Sequence, residues 1–112
     1  MIVLNLPKPV SVNRTRKVDW SSRNRVLAWI SAADNLVMSQ GRLPNPIMGR
    51  YEATIILNEK VAIDPDNGTK GILDYAVRIG LVENDSPKYL RKLTVEFGDA
   101  PEGCKLVLRP AP

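Results

Sequence analysis

The fold of this 112-residue chain is limited most by how the spacing of its apolar residues changes along the sequence. Residues 22–40 and 69–79 carry apolar side chains at steps of three and four, which is typical of helices. Four other segments have the composition and alternation of strands. These strand segments are residues 1–6, 51–57, 92–98 and 104–109. The resulting order, β-α-β-α-β-β, predicts a single α+β domain over residues 1–112, with two helices packed on a mixed sheet.

The same patterns predict details of the packing. In the third strand, Leu93, Val95 and Phe97 are expected to face the core. The turn-like sequence DAPEG should return the chain, so that the last strand pairs with the third as a hairpin. Ser21 or Ser22 is the candidate cap of the first helix.

The histidine and cysteine content excludes several kinds of chemistry. The chain has no histidine, so it cannot form a metal site built on imidazole or a Ser-His triad. Its single cysteine, Cys104, cannot form an intrachain disulfide, which favours a reducing cytoplasm. Because Cys104 alternates with leucines in CKLVLR, we expect it to be a buried strand residue. The N-terminal residues do not have the pattern of a signal peptide, and no apolar run approaches membrane-spanning length.

Basic residues are concentrated in two segments of a chain whose net charge is +4. Residues 1–25 contain six basic residues and one acidic residue, and residues 87–92 contain three basic residues and no acidic one. A polyanionic partner such as nucleic acid would explain this distribution. A solvated basic surface would explain it equally well.

Two aspartates, Asp64 and Asp66, directly follow a strand pattern. Because like charges this close repel each other, such a pair usually serves a turn, a helix cap or a cation. Asp64 followed by Pro65 fits a turn, and Asp66 or Asn67 could cap the second helix. If the segment is extended, side chains two residues apart share a face, so both carboxylates could bind Mg²⁺.

Two further residues, Lys70 and Asp85, could reach the same place. The second helix carries the chain back by roughly 16 Å, at about 1.5 Å per residue, so the loop after it can bring Asp85 near the end of the sheet. Lys70 lies one turn into that helix. Three carboxylates and a lysine suit phosphodiester hydrolysis, in which metal ions activate water and the lysine meets developing negative charge. Asp85, before Ser86 and Pro87, could also belong to a simple turn.

The stretch DPDNGTKGILDYAVRIGLVENDS resembles the signature of the RusA family of Holliday junction resolvases. That signature is an Asp-x-Asp-Asn step, a lysine three residues later, an aspartate four further on, a glycine-hydrophobic step and a closing aspartate. The earlier LPKPVSVNRTRK is similar to the family's Pro-x-Ser-x-Asn segment, and the resemblance spans about residues 4–97. The positions in register are Pro9, Ser11, Asn13, Arg14, Arg16, Asp64, Asp66, Asn67, Lys70, Asp74, Gly80 and Asp85.

This resemblance implies a RusA-like fold and an enzyme. The expected activity is that of a Mg²⁺-dependent endodeoxyribonuclease that resolves four-way DNA junctions by paired symmetric nicks, in DNA recombination and repair. Mn²⁺ is expected to substitute for Mg²⁺, and no organic cofactor or membrane is implied. The protein would be a homodimer, encoded by a phage or prophage and active in the bacterial cytoplasm. The implied catalytic residues are Asp64, Asp66, Lys70 and Asp85, of which the three aspartates would bind the metal.

Further residues acquire expected roles from the same resemblance. Asn67 and Asp74 would support the metal ligands and the lysine. Because Asp74 lies four residues after Lys70 on a helix, we expect it to orient the lysine rather than to bind metal. Trp20 and Trp29 could stack on bases, although the helical spacing of Trp29 favours the core. The residues expected to contact the DNA backbone are Asn13, Arg14, Arg16, Lys17, Lys88, Arg91 and Lys92.

Two features depart from the family pattern. The acidic pair that closes the signature is Asn84 and Asp85 here, so one acid is missing, and Glu83 could compensate for it. The loop GRLPNPIMGR at residues 41–50 does not align. Two alternatives to an active nuclease therefore stay open. One is a catalytically inactive module that binds branched DNA, and the other is a protein-interaction domain of a phage operon whose acids are caps and turns.

Overall fold

The computed structural model describes residues 1–10, 20–60 and 65–112, and for residues 20–22 and 65–67 it describes the backbone alone. The predicted element order and the α+β class are confirmed. None of the described helices is long and apolar enough to cross a membrane. The elements are β1 (Ile2–Pro7), α1 (Trp20–Ser39), β2 (Tyr51–Asn58), α2 (Pro65–Arg78), β3 (Leu90–Gly98) and β4 (Gly103–Pro110).

The four strands form one mixed sheet in the order β1-β4-β2-β3. β4 is antiparallel to both β1 and β2, whereas β3 is parallel to β2. The predicted hairpin between the last two strands is therefore wrong, because β2 lies between them. Burial explains the difference. Cys104, Leu106 and Leu108 on β4 are fully buried and need a central position, whereas the charged residues Arg91 and Lys92 suit β3 to an edge.

The core lies on one face of the sheet. Leu4, Leu106, Ile55 and Val95 occupy aligned positions on the four strands and form one row across that face. The first three of these side chains are almost completely buried, and Val95 packs against the core. The predicted burial of Cys104 is confirmed, and burial raises the pKa of its thiol to about 12.

The two helices pack on this face and on each other. Trp29 of α1 and Tyr75 of α2 meet edge to face, with ring centroids 5.3 Å apart. The Tyr75 hydroxyl donates a hydrogen bond to the Asp34 carboxylate on α1, over 2.7 Å. Trp29 is 7% exposed, and its ring nitrogen donates to the carbonyl of Pro7. Trp29 is thus a core residue, and its side chain is not available to stack on a base.

The outer strand β3 differs from its predicted packing. Leu93 and Phe97 are 42% and 47% exposed, so the prediction that both face the core interior is wrong. They are on the helix side of the sheet, aligned with Ala53 and Leu57 of β2. Because β3 is the last strand, only the central Val95 of these three packs against the core.

Both helices begin earlier than the sequence pattern predicts. α1 starts at Trp20, so Ser21 and Ser22 lie inside its first turn and are not its caps. α2 starts at Pro65, four residues before the predicted start. Proline suits the first helical position because that residue needs no amide hydrogen. Asp66 is therefore part of the first turn of α2 instead of an extended segment.

Candidate functional site

The candidate site lies at the N-terminal half of α2 and the loop that follows this helix. Of the two aspartates at the start of the motif, Asp64 lies outside the described residues. Asp66 and Asn67 belong to the first turn of α2, where the backbone is described and the side chains are not. The observed geometry of the site therefore rests on the residues from position 68 onward.

Lys70 is the centre of the described site. Its Nζ lies 2.8 Å from Asp74 Oδ1 and 2.7 Å from Asp85 Oδ2. The contact with Asp74 is the pairing that a four-residue spacing on a helix predicts. The contact with Asp85 joins residues 15 positions apart in the sequence. The structure thus brings together three of the residues that the motif singles out.

The end of α2 directs the chain back towards Lys70. Gly80 has a φ of 80°, a conformation that favours glycine, and it ends the helix as its sequence position predicts. The amide of Gly80 donates to the carbonyl of Val77, and the amide of Leu81 donates to that of Ala76. This pair of hydrogen bonds closes the last helical turn and reverses the chain.

The loop after α2 is held at two points, one in the loop before β2 and one on β2 itself. The amide of Ile47 donates to the carbonyl of Leu81, and Ile47 forms an isolated parallel bridge with Val82. Further along, the hydroxyl of Tyr51 donates to the carbonyl of Asn84, over 2.9 Å. The first contact holds Leu81 and Val82, and the second holds Asn84, the residue directly before Asp85.

The residues beside Asp85 complete a turn. The side chain of Asn84 accepts a hydrogen bond from the amide of Ser86 through Oδ1, over 2.9 Å. An aspartate could accept the same bond, so the asparagine keeps the turn while removing one negative charge. The carboxylate of Glu83 accepts from the amide of Gly49, over 3.2 Å. Glu83 thus anchors the loop at residues 41–50.

The charges around Lys70 keep it protonated. Hydrogen bonds to Asp74 and then to Asp85 raise its pKa above the usual lysine value. The Lys70 side chain is 69% exposed, whereas that of Asp85 is only 20% exposed. At neutral pH, Lys70 is therefore an accessible cation and not a base, and it can meet an anionic ligand from solvent.

Tyr51 was not singled out by the sequence. It is fully buried, and burial and then the charge of Asp85 raise its pKa to about 12. Its hydroxyl consequently stays protonated and remains a hydrogen-bond donor to the loop. One weak signal was present in the sequence, because a tyrosine at the start of a buried strand needs a partner for its hydroxyl.

Replacing Tyr51 with phenylalanine should destabilise the fold by about 1 kcal/mol, because a part-buried carbonyl loses its donor. The effect should be complete below pH 10 and decline between pH 10 and 12. This follows because the hydroxyl ionises in the unfolded chain before it ionises in the folded one. Urea denaturation at several pH values measures both effects. Tyr89→Phe is the control, since its ring lies under the Lys88 ammonium and is retained. An equal loss in both variants would contradict the role assigned to Tyr51.

The described side chains contain only part of the predicted metal site. Among them, no group of three acidic or cysteine residues is close enough to hold an ion. Asp74 and Asp85 are the two carboxylates that meet at Lys70. The other two predicted ligands, Asp64 and Asp66, belong to the residues whose side chains are not described.

The basic residues after the site make separate contacts. On β3, Lys92 is in register with Glu52 of β2, whereas Arg91 lies at an irregularity where the pairing skips one residue. The Arg91 guanidinium donates to the carbonyl of Pro87, and the Lys88 ammonium lies 5.4 Å from the Tyr89 ring centroid. The other predicted DNA contacts, Asn13, Arg14, Arg16 and Lys17, lie outside the described residues.

No protein-family model matches this chain, and no curated protein is significantly similar to it. The resemblance to the RusA family therefore rests on the motif residues alone. The cluster of Lys70, Asp74 and Asp85 is the part of that motif whose side-chain geometry is described.

Proposed function

We propose that this protein is a Mg²⁺-dependent, structure-selective endodeoxyribonuclease of the RusA type. It resolves Holliday junctions by paired symmetric nicks, as a step of DNA recombination and repair. We place it in the cytoplasm of a bacterial host and infer that a phage or prophage encodes it. Asp64, Asp66, Lys70 and Asp85 are the proposed catalytic residues.

The contact between Lys70 and Asp85 carries this proposal. The motif separates these residues by a helix and a loop, yet the two side chains lie 2.7 Å apart. An acid that served only a turn would have no reason to meet the motif lysine. Position 66 lies one turn before Lys70 on α2, and residues four apart share a helix face. The helix therefore supports the inclusion of Asp66 in the same site.

The donor chemistry of the site fits a hard divalent cation. Two carboxylates, Asp74 and Asp85, share one ammonium, so this cluster retains negative charge that a cation would offset. Mg²⁺ prefers carboxylate oxygens, and Asp64, Asp66 and Asp85 would hold it. When bound, it supplies an activated water and stabilises the leaving oxygen.

Lys70 has a separate role in this proposal. As an exposed cation it binds a non-bridging oxygen of the scissile phosphate and stabilises the negative charge that develops there. Asp74, on the next turn of α2, orients the ammonium. Asp85 links the lysine to the metal ligands, because its carboxylate belongs to both groups. Tyr51 contributes indirectly, by fixing the loop that carries Asp85.

The proposed partner is branched DNA, and the proposed functional unit is a homodimer. A four-way junction has approximate two-fold symmetry, so two identical sites can nick two strands of it symmetrically. Lys88, Arg91 and Lys92 would bind phosphates near each site. Contacts of this kind give affinity and salt dependence but no choice of sequence.

The test uses a synthetic four-way junction with Mg²⁺ and compares the wild type with Asp66→Asn. We expect paired nicks that a ligase can seal from the wild type, and binding without cleavage from the variant. Asp99→Asn is the matched control, because Asp99 is an exposed acid in the loop after β3.

Two outcomes would overturn the proposal. If both proteins bind the junction and neither cuts it with any divalent metal, the chain is an inactive module that binds branched DNA. If neither protein binds, the motif acids serve only as turn and helix-terminus residues.

A further inference from the structure

The two edge strands of the sheet differ in whether their outward backbone groups are occupied. On β1, the Gln40 side chain accepts a hydrogen bond from the amide of Asn5 and donates one to its carbonyl, each over 2.8 Å. The side chain of the residue directly after α1 therefore occupies backbone groups that an additional strand would need. β3 is the other edge, and among the strands of the described residues its single neighbour is β2. Of the two edges, β3 is thus the one suited to receive another strand.

The exposed side chains of β3 also favour a partner. Leu93 and Phe97 are about half exposed and lie on the helix side of the strand. An edge strand that presents apolar side chains is a common site of strand addition between chains. From Lys92 to Gly98 the strand runs in regular register with β2, and this stretch is long enough for a ladder.

The sequence of β3 is complementary to itself about Thr94. In an antiparallel pair of two β3 strands centred there, Lys92 lies opposite Glu96 of the second copy, and Glu96 lies opposite its Lys92. Leu93 lies opposite Val95, with Phe97 of the second copy as a diagonal neighbour. A strand protected against pairing would instead place like charges opposite each other.

We propose that two copies of this chain associate through antiparallel pairing of β3 with β3, with Thr94 on the two-fold axis. The pairing joins the two sheets into one of eight strands, and it buries Leu93 and Phe97 on the helix side. The Lys70–Asp85 clusters lie near the start of each β3 and so come at opposite ends of the interface. The two copies of Leu90 would be roughly 27 Å apart along the strands, at about 3.4 Å per residue. The proposal does not depend on nuclease activity, and it assigns the surface through which the proposed homodimer would form.

Disulfide trapping tests the register. Residues opposite each other in an antiparallel pair have Cα atoms about 4.5–5.5 Å apart, which suits a disulfide. Thr94→Cys should therefore form a covalent dimer under mild oxidation. Thr54→Cys is the matched control, because Thr54 is aligned with Thr94 on the neighbouring strand and is equally half-buried. The wild type serves as the blank, since Cys104 is buried with its pKa raised to about 12.

Charge reversal tests the complementarity. Lys92→Glu or Glu96→Lys places like charges opposite each other twice per dimer, so each should raise the dissociation constant about tenfold or more. The double variant should restore it to near the wild-type value. Sedimentation without DNA or metal measures these constants.

Three outcomes would overturn the proposal. A wild type that stays monomeric at high concentration would show that this dimer does not form. A dimer that cross-links through Val95→Cys or Thr54→Cys instead of Thr94→Cys would show that the proposed register is wrong. A double variant whose dissociation constant stays raised would show that Lys92 and Glu96 do not pair across the interface. Because DNA is absent, a dimer that cuts no junction would count against the proposed function only. A monomer that cuts one would count against this interface only.

Discussion

Replacing Lys70 with methionine should lower the rate of junction cleavage about 10²–10³-fold, with little loss of stability. The rate effect is expected because the ammonium would no longer meet the negative charge that develops on the phosphate. The stability effect should be about 1 kcal/mol or less, because ion pairs on an exposed side chain contribute little. Single-turnover cleavage and urea denaturation of the same samples measure the two quantities.

The contrast between these effects separates a catalytic lysine from a structural one. Lys105→Met is the control, because it removes one positive charge from β4, away from the site, and so lowers non-specific DNA affinity similarly. A Lys70→Met variant that cuts at the rate of the Lys105→Met variant would mean that the lysine only pairs with Asp74 and Asp85. Lys70→Arg keeps the charge but changes its shape and reach. It should recover binding more fully than cleavage.

Local patterns predicted most of the fold. The change between periods of two and of three to four gave the element order, because each element must bury one face or stripe. The alternation around Cys104 likewise predicted a buried strand. The order of the strands could not be read in this way. DAPEG is a good local turn, but the fully apolar face of β4 requires neighbours on both sides, and this demand depends on the whole sheet.

In the candidate site, too, the sequence predicts local contacts better than distant ones. The Lys70–Asp74 pair follows from a spacing of four on a helix, so the sequence predicts it directly. The Lys70–Asp85 contact required the helix length and the stop at Gly80 as well. The hydrogen bond from Tyr51 to Asn84 spans 33 positions and has no local signal.

The basic run near residue 90 shows how one boundary changes an interpretation. A strand that begins at position 92 leaves Arg91 in a loop beside Lys88, so that the basic residues could form a common patch. β3 instead begins at Leu90, so Arg91 and Lys92 are strand residues, and the pairing with β2 skips a residue at Arg91. The charge of the segment is unchanged, but two of its three cations belong to an edge strand instead of a loop.

Replacing Gly103 with alanine should destabilise the fold by about 2–4 kcal/mol. Gly103 has a φ of 120°, which L-residues with a side chain rarely adopt. A Cβ there would also lie 2.5 Å from the backbone nitrogen of Lys8 and 2.8 Å from its Cα. Because both neighbours are main-chain atoms, the contact cannot be relieved by turning a side chain. The ends of β1 and β4, where Pro7 pairs with Gly103, would have to separate.

Gly71→Ala is the matched control, with an effect of opposite sign. Gly71 lies inside α2, and a Cβ there would meet nothing within 4 Å. Alanine should stabilise this helix by about 0.5–1 kcal/mol. Urea denaturation of the two variants, with unchanged slopes, measures both effects. A Gly103→Ala variant as stable as the wild type would mean that the backbone at Lys8 can move away. Since Lys8 leads into the predicted DNA-binding segment, that freedom would also show that β4 does not fix where the segment begins.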